Sequence, residues 1–416
     1  MDILFIHGNY PAQFVHLASS LASQEVHRVI FLTESNCTNL KQSIRGVTVK
    51  LYERHREVSA ATHPYLVTTE SAIMNGQAVV RAIAELQTSL EFQPRLVFSH
   101  AGNGLGLFIR DLCPDALHVS YTEWYFKPDL AHYLLGRNDL NTRLRAKCRN
   151  LVILQELEGC DLAVTPTFWQ RSQFPKELQG KIQVVFDGVD MNYFHPPTEL
   201  PGALELSCDS GETVRLDADD LVLSYATRGM EPLRGFPELM RSLPVLLQRF
   251  PQLKVVIAGQ DRRAYSYDAH SHNGSWKNHI MEQLENFAGL DRIFFTGLLN
   301  YGQYRSLLHR SDVHVYFTRP YVLSWGYLQA AACGCRLLVN QSPAIEDIKL
   351  KKPALTVDLD DRLSIVNGAI EMLNTAPAER GSKRKTLLEP QMDLKRCLDT
   401  WQNLINKALQ SSKQKE

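Results

Sequence analysis

Short apolar runs alternate with amphipathic stretches along nearly the whole chain. In the first part, the runs Asp2–His7 and Arg28–Thr33 predict buried strands, whereas Ala12–Ser23 and Ser71–Leu90 predict helices. Further strands are predicted at Leu96–Ser99, His118–Tyr121, Leu162–Thr165 and Ile182–Phe186, and a further helix at Leu140–Glu158. Strands and helices that alternate with short connections require parallel sheets covered on both faces. The first part therefore predicts one doubly wound α/β domain.

The same alternation starts again after a change in composition. Between Pro196 and Asp220 the chain is rich in proline, glycine, serine and acidic residues, which is typical of a linker with a small hairpin. Beyond it, strands are predicted at Leu221–Ala226, Lys254–Ala258, Arg292–Thr296, Val313–Phe317 and Arg336–Val339, with helices between them. We therefore predict one domain over residues 1–196 and a second over residues 197–385.

Length and composition agree with two ordinary domains. The 416 residues exceed what a single hydrophobic core usually supports. Apolar residues make up 44% and charged residues 22%, and 45 basic side chains balance 45 acidic ones. Because these charges balance and the chain has no net charge, we do not expect it to bind nucleic acid non-specifically.

The cysteines and the apolar runs bear on the compartment. Eight cysteines are scattered along the chain, and the close pair Cys333 and Cys335 lacks the spacing of a metal site, so we expect reduced thiols and a cytoplasmic protein. The opening MDILFIHGNYPAQF predicts a first strand rather than a signal peptide. No segment approaches the roughly 18 apolar residues that span a bilayer. A peripheral contact with the inner face of the membrane stays open.

The most informative stretch runs from Ser311 to Ile348. It predicts a buried strand, a turn, a helix of small residues, a second strand and an acidic turn. This order places a loop and a helix N-terminus at the carboxyl end of a parallel sheet, where open α/β folds bind phosphorylated ligands. We interpret it as a nucleotide-sugar site.

Seven segments spread over the chain carry a family resemblance. They are HGNYPAQFVHLASSLA, VTPTFWQRSQFP, VVFDGVDMNYFHP, ATRGMEPLRGF, VVIAGQ, FFTGLLNYGQYRSLLHRSDVHVYFT and SWGYLQAAACGCRLL. In this order they resemble the retaining glycosyltransferases of family 4. The resemblance implies the GT-B fold, in which two doubly wound Rossmann-like domains face each other across a cleft. It also implies that a final helix within residues 386–416 crosses back onto the first domain.

Arg228 and Arg234 follow the first strand of the second domain, where the family usually has an arginine and a lysine that hold the donor diphosphate. The resemblance thus gives both a catalytic role. The chemistry requires such groups, because breaking the sugar–phosphate bond develops negative charge on the departing diphosphate. Their spacing is one residue longer than the commonest family form.

Tyr321 and Gln329 occupy the positions of two family glutamates that bind the donor sugar and the ribose. The amide of Gln329 can still bind ribose hydroxyls. Tyr321 cannot replace a carboxylate, so we expect the sugar to contact the helix start, through the backbone N–H groups of Val322, Leu323, Ser324 and Trp325 and the Ser324 hydroxyl. The two aromatic residues, Tyr321 and Trp325, are equally compatible with core packing.

Other expected contacts follow from the same resemblance. Gly8 and Asn9 lie in a loop that would close over the donor, Gly297 and Leu298 would contact the base, and Glu346 would contact the donor or merely cap a helix. The acceptor residues are expected to be His100, Asn103 and Trp124. Glu123 follows a strand where many family members have a histidine. Its carboxylate is a catalytic candidate, as a proton acceptor or to stabilise positive charge on the sugar.

Together these features predict a retaining glycosyltransferase that uses a UDP- or GDP-linked sugar and no cofactor or metal. The acceptor is a hydroxyl on a glycan, a lipid-linked sugar or a small molecule. His270, His272 and His279 lie in a polar segment that is not expected to bind a metal. One alternative is a GT-B protein that binds a sugar nucleotide or glycan without turnover, because both glutamates are replaced. Glycosylation of DNA or protein is a further alternative, which the balanced charge does not support.

Overall fold

The computed structural model describes residues 1–37, 40, 43–199, 202–265, 274–380 and 383–413. Contacts divide the chain into two compact units. The first domain comprises Met1–His132, Asn138–Gly188 and the residues from Leu394 onward, and the second comprises Tyr133–Arg137 and Val189–Asp393. The chain thus passes into the second domain a few residues before Pro196 and returns to the first before its end.

The first domain is built on a parallel sheet of seven strands. They are β1 (Asp2–Ile6), β2 (Arg28–Glu34), β3 (Val47–Tyr52), β4 (Pro94–His100), β5 (Leu117–Tyr121), β6 (Leu162–Thr165) and β7 (Ile182–Val184), in the order β3-β2-β1-β4-β5-β6-β7. The helices are α1 (Val15–Ala22), α2 (Val67–Ser89), α3 (Ile109–Leu112), α4 (Ala131–Leu135), α5 (Leu140–Gly159), α6 (Phe168–Gln173) and α7 (Lys176–Gln179). Buried rings of Phe5, Phe31 and Phe98 stack across the three central strands.

The sequence interpretation missed the edge strand β3. Its residues VTVKLY are mostly half-buried or exposed, because an edge strand has only one neighbour. The run therefore lacks the continuous apolar character that identified the central strands.

The second domain has a parallel sheet of six strands and a separate hairpin. The hairpin strands are β8 (Leu204–Ser207) and β9 (Thr213–Leu216), which lie in the segment predicted to hold a hairpin. The sheet strands are β10 (Leu221–Gly229), β11 (Leu253–Gln260), β12 (Ile293–Gly297), β13 (Val313–Tyr316), β14 (Leu337–Asn340) and β15 (Leu355–Val357), in the order β12-β11-β10-β13-β14-β15. The helices are α8 (Phe236–Arg249), α9 (Trp276–Leu284), α10 (Tyr301–Arg310), α11 (Trp325–Ala332), α12 (Pro343–Glu346) and α13 (Arg362–Glu379).

The final helix, α14 (Leu394–Lys413), packs on the first domain. Its side chains Cys397, Trp401 and Ile405 are buried, and the Trp401 ring lies 6.2 Å from that of Phe98. The helix therefore completes a core that begins with β1, so residues from both ends of the chain form one domain.

The predicted fold class is confirmed, since each domain is a Rossmann-like arrangement of a parallel sheet with helices. All eight cysteines are unbridged. Among the described residues, no helix combines the length and the apolar character that crossing a bilayer requires.

Candidate functional site

Arg234 is a buried charged side chain at the carboxyl end of the second sheet. It ends a 3-10 turn that follows β10, and only 3% of the residue is exposed. Its Nη1 donates hydrogen bonds to Thr318 Oγ1 (2.6 Å) and Tyr316 Oη (3.2 Å), at the end of the neighbouring strand β13. Gly235 permits this approach, because it has a φ of 65° and a Cβ there would lie 2.5 Å from the Cβ of Phe317.

The second terminal nitrogen of Arg234 is buried and has no hydrogen-bond partner among the described residues. One face of the guanidinium lies over the Tyr265 ring, 4.8 Å from its centroid. Tyr265 is itself held by its backbone N–H, which donates to Oε1 of the buried Glu231 (3.0 Å). Buried donors normally have acceptors, so an oriented guanidinium with an unused N–H group is suited to bind an anion.

A single hydroxyl connects Arg234 to the start of α11. Tyr316 Oη accepts from Arg234 Nη1 and also from the backbone N–H of Ser324 (3.0 Å), the N-cap of α11. Ser324 Oγ in turn accepts from the N–H of Gly326 (3.2 Å). The N–H of Ser324, which we expected to contact the sugar, is thus already used to fix the helix start.

Thr318 is held in place by the next strand. Its N–H donates to Asn340 Oδ1 (2.8 Å), and Asn340 Nδ2 donates to its carbonyl (3.0 Å). Sequence reasoning missed Tyr316, Thr318 and Tyr265. The sequence did hold a signal for Tyr316 and Thr318. Both stand at the end of a predicted buried strand, directly before the turn that contains Tyr321.

The other residues expected around the donor lie on several strands and helices of the second domain. Arg228 is exposed near the end of β10, and Gly297 ends β12 with a φ of 62°, followed by the exposed Leu298. Gln329 is half-buried on α11, and Glu346 is exposed at the end of α12. Their predicted roles stay predictions.

Tyr321 and Val322 are both buried, with 8% and 7% of each residue exposed. The Tyr321 ring lies 5.8 Å from that of Tyr265, so it packs in the aromatic group beside Arg234. Leu323 and Trp325 are half-buried. This packing is what we expect of a core aromatic residue, and it does not require Tyr321 to contact the sugar.

In the first domain, polar side chains meet at the ends of the adjacent strands β1, β4 and β5. The His100 ring lies 4.7 Å from that of His7 and 5.6 Å from that of Tyr121. His100 Nε2 is 3.5 Å from Glu123 Oε2, and Gln13 Nε2 donates to Glu123 Oε1 (2.8 Å). Two predicted residues, His100 and Glu123, are therefore brought within ion-pair distance of each other.

The surroundings of His100 favour its charged form. Burial by itself lowers the pKa of His100, but the adjacent Glu123 carboxylate and the nearby Glu156 outweigh burial and raise that pKa above its usual value. The pair can hold a proton between an imidazole and a carboxylate, which is the arrangement that general acid–base chemistry uses.

Glu156 is a buried carboxyl group that sequence reasoning missed. Only 1% of the residue is exposed, and its carboxylate accepts from the backbone N–H groups of Gly102 and Gly106. Burial raises the pKa of Glu156 to about 7, against the lowering effect of these hydrogen bonds and of His100. The signal was available, because Glu156 stands next to Leu157 and follows Val152 and Ile153 on the apolar face of a predicted helix.

The remaining residues predicted in this domain differ in exposure. Asn9 and Asn103 are exposed, and Gly8 lies close to the hydroxyl of the buried Tyr52. Trp124 is buried, with its ring 6.2 Å from that of Trp169. Trp124 therefore presents little surface to an acceptor, and its predicted role is untested.

Two open grooves lie along the outside of α2, away from these side chains. One has a volume of about 710 Å³ and is lined by residues that include Val80, Phe108 and Leu112. The other has a volume of about 510 Å³ and is lined by residues that include Leu66, Ile73 and Met74. No predicted site residue lines either groove. The size of a cavity therefore does not identify the polar sites at the strand ends around Arg234 and His100.

Among the described residues, no group of three or more histidine, cysteine, aspartate or glutamate side chains is placed to hold a metal ion. His270 and His272 lie outside the described residues.

Comparison with solved structures places the chain in a known fold. Sucrose-phosphate synthase from Thermosynechococcus elongatus superimposes with a TM-score of 0.74 at 12% identity, over 99% of this chain and 100% of that chain. The Anabaena protein HepE, solved in complex with UDP and glucose, gives a TM-score of 0.63 at 13% identity over 98% and 99% of the two chains. An E. coli structure titled as trehalose-6-phosphate bound with UDP-2-fluoro glucose gives 0.64 at 12% identity over 99% of both chains. Identities this low establish the fold alone.

A comparison with curated protein sequences finds no significant match. The family model described as the glycosyl transferase family 4 group matches residues 25–194, which is most of the first domain. The resemblance stated from the sequence is thereby confirmed at the level of the fold and of this domain. The chain has the GT-B fold, and residues 25–194 match the family model described as the glycosyl transferase family 4 group.

Proposed function

We propose that this protein transfers a sugar from a nucleoside-diphosphate donor to a hydroxyl group of an acceptor, with retention of the anomeric configuration. The proposal rests on the environment of Arg234. Its buried guanidinium donates to Tyr316 and Thr318, and its second terminal nitrogen has no hydrogen-bond partner among the described residues. It lies at the carboxyl end of a parallel sheet, where such folds bind phosphorylated ligands. Desolvation of an arginine is costly, and a bound diphosphate would offset that cost.

In this proposal the second domain binds the donor. Arg234 binds the diphosphate and stabilises the negative charge that develops as the sugar leaves. The exposed Arg228 supplies a second positive charge, and the start of α11 adds the partial charge of a helix N-terminus. Two guanidinium groups serve in place of an obligatory metal. Loss of one such charge-stabilising donor typically costs about a hundredfold or more in rate.

The first domain selects the acceptor in this proposal, with the His100 and Glu123 pair as its polar centre. Departure of the diphosphate on the face that the acceptor attacks lets the diphosphate help remove the acceptor proton. A strong protein base is then unnecessary, and the absence of glutamates at Tyr321 and Gln329 is tolerable. The pair would position the acceptor or share its proton.

A second candidate is a GT-B protein that binds a sugar nucleotide or glycan without catalysing transfer. The observation in its favour is that Tyr321 packs against Tyr265 and Gln329 carries no charge, so neither offers a carboxylate to a donor sugar. The anion site around Arg234 would be retained in such a protein.

A donor screen distinguishes these candidates. The purified protein is titrated by calorimetry with UDP- and GDP-linked sugars, and each binder is then incubated with mono- and oligosaccharide acceptors and the products are analysed. UDP-linked sugars come first, since solved structures of the same fold contain UDP or a UDP-sugar. Binding followed by donor hydrolysis or transfer supports the enzyme. Binding without turnover supports the second candidate. No binding of any sugar nucleotide contradicts the enzyme and leaves the second candidate only as a glycan-binding protein, which titration with the oligosaccharides alone then tests.

A further inference from the structure

Glu156 is a buried carboxyl group that the proposed transfer does not yet use. It lies on α5, and only 1% of the residue is exposed. Burial raises the pKa of Glu156, whereas two backbone N–H groups and His100 lower it. Because a carboxylate is costly to bury, its place in the core needs a reason beyond packing.

The two N–H groups come from the segment of residues 101–106, which follows β4. Glu156 Oε2 accepts from the N–H of Gly102, and Oε1 accepts from the N–H of Gly106 (2.9 Å). A carboxylate has two acceptor oxygens, whereas the amide of glutamine has one. Glu156 therefore ties two places on the segment with one side chain, which a neutral side chain of the same length cannot do.

His100 immediately precedes this segment and is held by its first residue. The Nδ1 of His100 donates to the carbonyl of Ala101 (3.0 Å), and the N–H of Ala101 donates to the carbonyl of Tyr121 (3.0 Å). With Nδ1 fixed in this way, Nε2 lies 3.5 Å from Glu123 Oε2, and the ring of His7 packs beside that of His100. The orientation of the His100 ring thus depends on where the segment lies.

Glu156 also acts on His100 through its charge. Burial lowers the pKa of His100, and the carboxylates of Glu123 and Glu156 raise it. Position and charge therefore both connect Glu156 to the pair of His100 and Glu123. Buried ionisable groups with shifted pKa values that act on one another are typical of functional sites.

We propose that Glu156 is a positioning residue of the acceptor centre formed by His100 and Glu123. By holding residues 101–106 it fixes the ring of His100 with Nε2 beside Glu123, and its charge favours the protonated imidazole. This inference rests on the proposed function, which assigns the acceptor to the pair. Because Glu156 is buried, it acts through His100 and the segment rather than by touching a substrate.

Three variants separate these effects. Glu156→Gln keeps the length of the side chain but loses the charge and one acceptor oxygen. Glu156→Asp keeps the charge and both oxygens but is one methylene shorter. Glu158→Gln is the matched control, because Glu158 is exposed on the same helix two residues later. Thermal melts show that each variant is folded at the pH of the measurement.

Nuclear magnetic resonance on the full-length protein measures the effect on His100 without donor or acceptor. The histidines are isotope-labelled, and the His100 signal is identified by its loss in His100→Gln. We expect a lower pKa of His100 in Glu156→Gln, an unchanged pKa in Glu158→Gln, and a pKa closer to the wild type in Glu156→Asp. Hydrogen exchange of residues 101–106 should be about tenfold faster in Glu156→Gln and unchanged in Glu158→Gln.

Kinetics test the link to the acceptor, with the sugar nucleotide and the mono- or oligosaccharide that the donor screen identifies. Glu156→Gln should lower kcat/KM for that acceptor by about a hundredfold, because a small displacement of a positioned group costs about this much. Hydrolysis of the donor without acceptor should be unchanged, since the proposal places the donor contacts in the second domain. A purely structural role would lower both rates together.

The proposal is overturned if Glu156→Gln leaves the His100 titration, the exchange of residues 101–106 or kcat/KM for the acceptor unchanged. Equal losses of transfer and donor hydrolysis would overturn it as well. If the donor screen finds no turnover, the proposed function fails by itself. The resonance and exchange measurements need no ligand, and they still decide whether Glu156 positions His100.

Discussion

At the scale of single residues, Arg234 combines burial, charge and an unused donor. We expect Arg234→Gln to lower sugar transfer or donor hydrolysis by about a hundredfold or more, because glutamine keeps a polar amide but brings no charge to the diphosphate. Initial rates at saturating donor check this. Arg249→Gln, an exposed arginine on α8 of the same domain, should leave the rate unchanged. Equal rates in both variants, with the fold intact, would contradict a role for Arg234.

Arg228 provides a cleaner test of the same chemistry, because its side chain is exposed. Arg228→Ala should fold and melt like the wild type. We expect it nevertheless to lower transfer by about a hundredfold, since it removes one of the two positive charges that face the diphosphate in the proposal. An unchanged rate would remove Arg228 from the mechanism and leave the charge stabilisation to Arg234 and α11.

Glu156 gives the first domain a pH dependence. Burial raises the pKa of Glu156 to about 7, so the folded state favours the protonated carboxyl. The stability that this protonation gives is fully present below about pH 4.5 and is lost as the pH rises through 7. Between these limits the free energy of unfolding changes by about 3 kcal/mol. We expect Glu156→Gln, which cannot ionise, to be less stable than the wild type at about pH 4.5 and to gain on it as the pH rises to about 8. Thermal melts at the two pH values measure the change.

A matched control for this prediction is Glu158→Gln, because Glu158 is exposed on the same helix two residues later. It makes the same side-chain change at an exposed position, and so controls for the substitution itself. Nuclear magnetic resonance adds a second readout, since removal of the Glu156 charge should lower the pKa of His100. A stability difference between Glu156→Gln and the wild type that is the same at both pH values would show that the carboxyl does not titrate in this range.

At the scale of elements, the segment after β4 packs directly on α2 at one glycine. Gly104 has a φ of 81°, and a Cβ there would lie 1.9 Å from the carbonyl oxygen of Ala72 in α2. We expect Gly104→Ala to destabilise the protein by more than about 2 kcal/mol, because it adds left-handed backbone strain to a clash that only movement of the helix can relieve. Urea unfolding measures the loss.

Gly159→Ala is the control for this packing, since no described atom beyond the backbone of its own helix turn lies within 4 Å of a Cβ at that position. It should change the free energy of unfolding by well under about 1 kcal/mol. If Gly104→Ala is equally harmless, the close approach of the segment to α2 is not a requirement of the fold. The same segment contains the two backbone N–H groups that donate hydrogen bonds to Glu156. Its packing on α2 therefore also fixes the carboxylate that lies near His100.

At the scale of the whole molecule, the first domain is assembled from both ends of the chain. Trp401 on α14 is 5% exposed and packs near Phe98, in a core that includes strands β1 and β4. We expect Trp401→Ala to lower the stability of the first domain by about 3–5 kcal/mol, because it opens a large cavity. Asn403→Ala, exposed on the same helix, should have little effect. Hydrogen exchange resolves the loss by domain, and equal protection of β1 and β4 in both variants would contradict the assignment.

Much of the architecture could be predicted from the sequence because it depends on local patterns. The central strands of both sheets are continuous apolar runs, and the composition changes between Pro196 and Asp220, so the two α/β domains were predictable. The half-exposed edge strand β3 and the three-residue edge strand β15 were not, because neither has a continuous apolar run. For the site, the sequence predicted only which residues follow the strands, and Arg234 was among them. Its burial and its contacts with Tyr316, Thr318 and Tyr265 could not be anticipated.

The sequence by itself determined the order of elements, the fold class and the residue types available at each strand end, because these follow from periodicity and from neighbours along the chain. Only the tertiary structure decided which of those side chains meet. Arg234 and Thr318 are 84 positions apart, and Glu156 and Gly102 are 54 apart. Such contacts are made by strand order and close packing, which bring distant segments together and set how deeply each charge is buried.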